Sequence, residues 1–194
     1  MLKTKEESIR DYKEYVDRHV SFVQKAFEDY GKDLIRKVVS SRTPRPYEDI
    51  DLENVYIKVA QLVQLHDKSK YEAEELDAYA ARFNPYEENT DDATTIRNNF
   101  EIAWEHHYNH NPHHPEFWAV TACGKAISTH IPNAYFVEML CDWIAMSMNF
   151  KSSTTDWWFN NKGGKAEKYT MMPKSDIELI DEILKANPFD FSNT

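Results

Sequence analysis

The sequence predicts an all-α bundle, on three observations. Apolar residues recur at three- and four-residue spacing over long stretches. Residues that punctuate short strands are scarce, with 4 Gly and 8 Pro in 194 residues. Helix-start signals stand just ahead of the apolar stripes. A hydrophobic content of 41% supports a packed core. A chain of this length buries roughly two-thirds of its unfolded surface as one unit. No repeat, linker or low-complexity tract divides it, so residues 1–194 are expected to form a single domain.

The first helix is expected to start near Thr4, with Glu7 completing a capping box. Its stripe runs through Ile9, Tyr12, Val16, Val23, Ala26 and Tyr30, and His19 falls on that stripe. Residues 40–46, Ser-Ser-Arg-Thr-Pro-Arg-Pro, read as a loop. A second helix is predicted from about Asp51 to His66, burying Val55, Val59, Leu62 and Val63. A third covers Glu72 to Arg82 and breaks at Asn84-Pro85. Asp91-Asp92 suits the positive end of a fourth helix, whose stripe is Ile96, Phe100, Ala103 and His107. That helix stops near Asn111-Pro112, and residues 113–118 read as irregular. A fifth follows Pro132 to about Phe150, with Tyr135, Met139, Asp142 and Met146 on one line. Ser152 to Lys168 reads as a loop, and a last helix spans Ser175 to about Ala186.

The formal net charge of −10 disfavours binding along a nucleic-acid backbone. It is compatible with a small phosphorylated ligand, because a bound cation reverses the local field. Cys123 and Cys141 make no disulfide framework and no Cys-x-x-Cys. With no apolar leader at Met1 to Glu7 and no bilayer-length apolar run, the expectation is a cytoplasmic protein with reduced thiols, away from the membrane.

His19, His66, His107 and Asp142 each place an ionisable group on a predicted apolar stripe. Buried alone, each such group is more often satisfied by a neighbour than by an ion. Four on four stripes, with Asp67 beside one of them, point to a shared metal. Adjacent helical residues diverge by about 100°. His66 and Asp67 therefore converge only at a helix end, which Lys68-Ser69-Lys70 can provide.

The run His66-Asp67-Lys68-Ser69-Lys70 resembles the His-Asp-x-x-Lys signature of the HD superfamily of metal-dependent phosphohydrolases. That family takes a histidine from an earlier helix, the His-Asp pair, and a distant aspartate. His19, His66, Asp67 and Asp142 match this order, over roughly residues 10 to 150. Two-metal members insert two further histidines, a slot that His107 with His113 or His114 fits. The chain also resembles a branch of helical proteins from bacteria and phages that share an Asn-Pro-His-His-Pro-Glu-aromatic-Trp stretch and a late Glu-Met-x-Cys-Asp-Trp. Here these are Asn111 to Trp118 and Glu138 to Trp143. The dense group His106, His107, His110, His113 and His114 departs from better-known members. So does the lack of the Gly-Tyr-Pro stretch of the cyclic-dinucleotide branch.

The resemblance implies a single-domain, HD-type helical bundle holding one or two divalent ions (Mn, Fe, Zn, Co, Ni or Mg). The implied ligands are His19, His66, Asp67, Asp142, His107 and His114. Hydrolysis of a small phosphoester, a nucleotide first, would use metal-activated water. Asp67 would take the proton, Lys70 would neutralise phosphate, and His113 and His114 would donate to it. Self-association is left open. Trp157-Trp158 with Asn160-Asn161 reads first as packing of a loop on the core, and second as a lid stacking on a base. Arg82 and Arg97 are secondary phosphate candidates, against a role in surface ion pairs.

The motifs of rival metal and nucleotide proteins are absent. No Glu is followed by His at the third position, as a carboxylate di-iron bundle needs. No His-Glu-x-x-His or Gly-x-x-x-x-Gly-Lys occurs either. Two rivals keep the same ligands or need none: an HD-type oxygenase with two irons, and a non-catalytic metal- or nucleotide-binding helical module.

Overall fold

The capping box forms as read. Thr4 N donates to Glu7 Oε2 at 2.9 Å and Glu7 N to Thr4 Oγ1 at 3.2 Å, a motif worth about 1 kcal/mol. It opens α1 (Lys5–Arg42), a helix of 38 residues and about 57 Å. The computed structural model describes residues 3–42, 49–122, 125–160 and 171–192. The buried face of α1 runs from Ser8 through Tyr12, Val16, His19, Val23 and Phe27 to Val39. Residues 40–42, expected in a loop, are the last turn of α1. There Arg42 sits over the Phe136 ring at 3.9 Å and gives that turn a tertiary anchor. The rest of that expected loop, 43–46, lies outside the described residues.

The other helices are α2 (Asp49–Gln64), α3 (Ala73–Phe83), α4 (Ala93–His110), α5 (Asn133–Phe150), α6 (Thr154–Asn160) and α7 (Lys174–Ala186). Asp92 caps α4 by accepting from Thr95 N at 2.7 Å. α1 is the spine, and α5 lies antiparallel along it. Tyr15 meets Met146, His19 meets Asp142, and Arg42 meets Ile131. α2 also runs antiparallel to α1, with Phe27 against Tyr56 and Gln24 against Gln64. α3 and α4 pack on the N-terminal half of α1 through Tyr12, Tyr79 and Phe100.

Three further expectations change. α2 ends at Gln64, so His66 lies beyond it in a turn. The segment 152–168 contains α6, whose start Ser153 caps by accepting from Asp156 N at 3.0 Å. Its residues 161–168 lie outside the described ones. The irregular stretch after Pro112 holds a 3-10 turn (Pro115–Trp118) followed by a hairpin. There β1 (Ala119–Ala122) pairs antiparallel with β2 (Lys125–Ser128), Ala119 facing Ser128 and Val120 facing Ile127. Strands of four residues are too short for a two-residue period to stand out in sequence. The fold is nonetheless an all-α bundle with this one small sheet among the described residues. No helix is long and apolar enough to cross a membrane among those residues.

Two hydrophobic cores result. The larger holds Val23, Leu34, Val59, Phe136, Leu140, Ile144 and Ile180. The smaller holds Tyr12, Val16, Tyr79, Ala80 and Ala103. Burying each Val, Leu, Ile or Phe contributes about 1.5–3 kcal/mol. Between the two cores on α1, after Val16 and before Val23, lies His19.

Candidate metal centre

His19 is carried inward by the α1 stripe and is 2% exposed. Its Nε2 lies 3.1 Å from Asp142 Oδ1 on α5 and 3.5 Å from Asp67 Oδ2. His66 and Asp67 reach the same place because the chain turns between α2 and the 3-10 helix Lys68–Tyr71. Asp67 has φ 56°, in the left-handed region. Asp tolerates that conformation better than most residues, though at a cost. The reversal overcomes the divergence that a continuous helix would impose on adjacent side chains. His66 Nε2 stands 3.7 Å from Asp67 Oδ2 and 3.8 Å from Asp142 Oδ1.

On the other side of Asp67, α4 and the turn after it deliver three more imidazoles. His107 Nε2 is 3.3 Å and His113 Nε2 3.7 Å from Asp67 Oδ1. His114 packs on both, with ring centroids 4.8 Å from His107 and 4.2 Å from His113. Two ligand groups thus lie side by side. One is His19, His66 and Asp142; the other is Asp67, His107, His113 and His114. Within each, the donor atoms lie within 4.8 Å of one another. Asp67 stands between them, Oδ2 toward the first and Oδ1 toward the second.

Two glutamates that the sequence reading missed orient these rings. His66 Nδ1 lies 3.0 Å from Glu138 Oε1, and His107 Nδ1 lies 2.8 Å from Glu75 Oε2. A carboxylate only accepts, so each Nδ1 carries a proton, and in a neutral ring that leaves the lone pair at Nε2. This is the outer arrangement that fixes metal-binding histidines. Glu138 stands one helical turn before Asp142 and Glu75 one turn before Tyr79, so both share the inward face of their helices. Asn111 completes the back wall, donating to Ser69 Oγ and to the His107 carbonyl, both at 2.7 Å.

The electrostatics agree. Burial lowers the His66 pKa, keeping that ring neutral. Burial, then the neighbouring His113 and His107, hold His114 well below its ordinary range. Burial alone would raise Glu138, but hydrogen bonds from His113 and His66 take it down to about 2. Burial would likewise raise Asp67, but Lys70 and the surrounding imidazoles hold it well below the usual range. Burial opposes the charge on Lys70, yet Asp67 raises its pKa.

The residues fit a metal. His66 Nε2, His113 Nε2, His114 Nε2, His19 Nδ1 and Asp67 Oδ1 are buried without a hydrogen bond among the described residues. The cluster holds four carboxylates, Asp67, Glu75 and Glu138 buried and Asp142 nearly so, against one ammonium, Lys70 on Asp67. Lone pairs facing carboxylates at 3.3–3.8 Å repel unless positive charge lies between them. Such a His/carboxylate cluster can hold divalent cations.

The remaining candidates fall where the fold puts them. Lys70 Nζ sits on Asp67 Oδ2 at 2.6 Å, so its first partner is the ligand carboxylate. His113, expected as a substrate contact, lies in the group with Asp67, His107 and His114 that could hold an ion. His106 pairs with Glu75 at 2.9 Å and stacks on His110, which is exposed; neither faces Asp67. Arg82 lies over the Phe83 ring at 5.8 Å and Arg97 is exposed on α4, both outside the cluster. Trp158 is buried, donates to Asp181 at 2.6 Å and stacks on Trp143; it packs α6 on the core. Asn161 and Cys123 lie outside the described residues.

Fold and site together define a helical-bundle protein with a buried imidazole–carboxylate centre that can hold metal ions. The model of the Family of unknown function (DUF5662) matches residues 8–186, and the chain belongs to that family. Comparisons with curated proteins and with solved structures returned no match.

Proposed function

We propose that the chain is a metal-dependent phosphohydrolase of the HD type, acting on a small phosphoester and, within that class, on a nucleotide. One observation carries the reading: two groups of imidazoles flank the single carboxylate of Asp67, with His66 Nε2 on one side and His113 and His114 Nε2 on the other buried without a hydrogen bond among the described residues. His19, His66 and Asp142 would hold one ion and His107, His113 and His114 a second, with Asp67 shared. Bound there, a divalent cation supplies a Lewis acid for a phosphoryl oxygen and brings the pKa of a water toward neutrality.

The chain's own groups then have defined tasks. Glu138 and Glu75 hold the Nδ1 protons of His66 and His107, which fixes the lone pairs inward. Asp67 ligates and accepts the proton of the attacking water. Lys70 balances Asp67 and offers its remaining N–H donors to a phosphate oxygen. His114, neutral and buried at Nε2, is a second ligand or a donor to the leaving oxygen.

Elemental analysis of the purified protein, run beside phosphate release from a panel of phosphorylated metabolites, tests this reading. Divalent metal and turnover are expected together. His66→Ala should lose both while keeping its helical circular dichroism, and full metal stoichiometry in that variant would overturn the ligand set. The same paired ligand groups would serve an oxygenase with two irons. Oxygen consumption by iron-loaded protein, without phosphate release, would favour that alternative.

A further inference from the structure

The two ligand groups differ in what carries them. His19 and Asp142 stand on α1 and α5, and Glu138 of α5 buttresses His66. Among the histidines of the second group only His107 stands on a helix. His113 and His114 come from a turn between the end of α4 at His110 and the 3-10 helix Pro115–Trp118. Side chains on a turn are held less exactly than those on a helix unless something pins the backbone. Pro112 and Pro115 fix φ on either side of the histidine pair. Local stiffness alone, however, does not aim a turn at Asp67.

Two anchors do that. At one end Asn111, which is buried, donates to Ser69 Oγ, two residues beyond Asp67, and to the His107 carbonyl. At the other end Trp118 folds back, and its indole Nε1 donates to the Pro112 carbonyl at 2.7 Å. The Trp118 ring packs on Tyr135 of α5, with centroids 5.7 Å apart. Tyr135, Glu138 and Asp142 follow at three- and four-residue spacing along α5. Glu138 is also the carboxylate 3.5 Å from His113 Nδ1, so the turn meets α5 at both points in register. β1 begins at the residue after Trp118, and Thr129 N, just past β2, donates to the Trp118 carbonyl at 2.9 Å. The hairpin thus closes on the residue that grips the histidine turn.

We propose that Trp118 is a positioning residue for the second ion: by holding the Pro112 carbonyl it aims His113 and His114 at the Oδ1 side of Asp67. The first group, carried by α1, α5 and the turn after α2, does not use this anchor. The proposal rests on the two-ion part of the proposed function and is independent of the substrate.

Titration of the metal-free full chain with Co(II), followed by visible absorption and equilibrium dialysis, reads the two ions separately. Trp118→Phe keeps an aromatic ring against Tyr135 and removes the indole N–H. It should weaken one ion about ten-fold, the scale of an outer contact to a ligand histidine, and leave the other within about two-fold. His113→Ala identifies the ion. That variant should lose the same one, and adding Trp118→Phe to it should leave the remaining ion unchanged. A general structural fault would instead lower the helical circular dichroism and weaken both ions. Benzothienylalanine in place of Trp118 keeps the bicyclic shape without the N–H, and repeats the test should Phe disturb the packing. Equal weakening of both ions, no change in either, or selective weakening of the ion that His113→Ala retains would overturn the proposal. A native chain that binds fewer than two Co(II) ions would overturn the two-ion reading itself, and the role of Trp118 with it.

Discussion

Two buried polar clusters sit at different places along α1, and they are built on opposite principles. Near its C-terminal end, Arg42 pairs with Asp176 of α7 at 2.7 Å, with side chains 8% and 0% exposed. Its other donor reaches the Ile131 carbonyl at 2.7 Å. One guanidinium meets one carboxylate, with His130 Nδ1 also 3.0 Å from Asp176 Oδ1, and the cluster ties α1, α5 and α7 together. At His19 the chain gathers four carboxylates against one ammonium, with five imidazoles packed among them. A balanced cluster holds a fold; an unbalanced one is completed by something the chain does not supply.

The largest expected effect lies in the balanced cluster. Asp176→Ala leaves Arg42 buried and unpaired and should destabilise by about 3–5 kcal/mol, read by denaturant unfolding. Metal stoichiometry should not change. A comparable metal loss would mean that the two clusters are not independent.

Glu138→Gln sharpens the contrast from the other side. It replaces the charged acceptor of the His66 and His113 rings with a neutral amide. Metal affinity should fall about 10- to 100-fold in a chelator competition assay, with the helical signal kept.

Acid should act on the centre in a defined window. The folded pKa of Glu138 is lowered from 4.5 to about 2. Its stabilising contribution is therefore fully present above the unfolded value and is lost as pH falls from 4.5 toward 2. Metal-free protein should lose less stability over that range when it carries Glu138→Gln.

The smallest effect belongs to neither cluster. Thr4→Ala removes one arm of the capping box and should cost about 1 kcal/mol, without effect on metal.

These differences also explain what the sequence reveals. The α1 stripe, its cap and the position of His19 follow from local spacing and stereochemistry. So does the need for a helix end at His66-Asp67, which Asp67 meets with its left-handed backbone. Glu138 hides in a helix that is apolar nearly all round, so no amphipathic face singles it out. Which histidines of the cluster from His106 to His114 face Asp67 depends on the turn after α4. There Asn111 is held by Ser69, a partner 42 residues away that no local pattern announces. The Arg42–Asp176 pair escapes for the same reason, joining residues 134 positions apart in the sequence.

The most direct test of the central claim is the number of divalent ions bound per chain, by equilibrium dialysis and elemental analysis, in the native protein and in Asp67→Ala. The account predicts two ions in the native chain. It predicts loss of both in a variant that keeps its helices, because the shared carboxylate is gone. A native chain that binds no divalent ion, or an Asp67→Ala variant that binds as many as the native one, would contradict it.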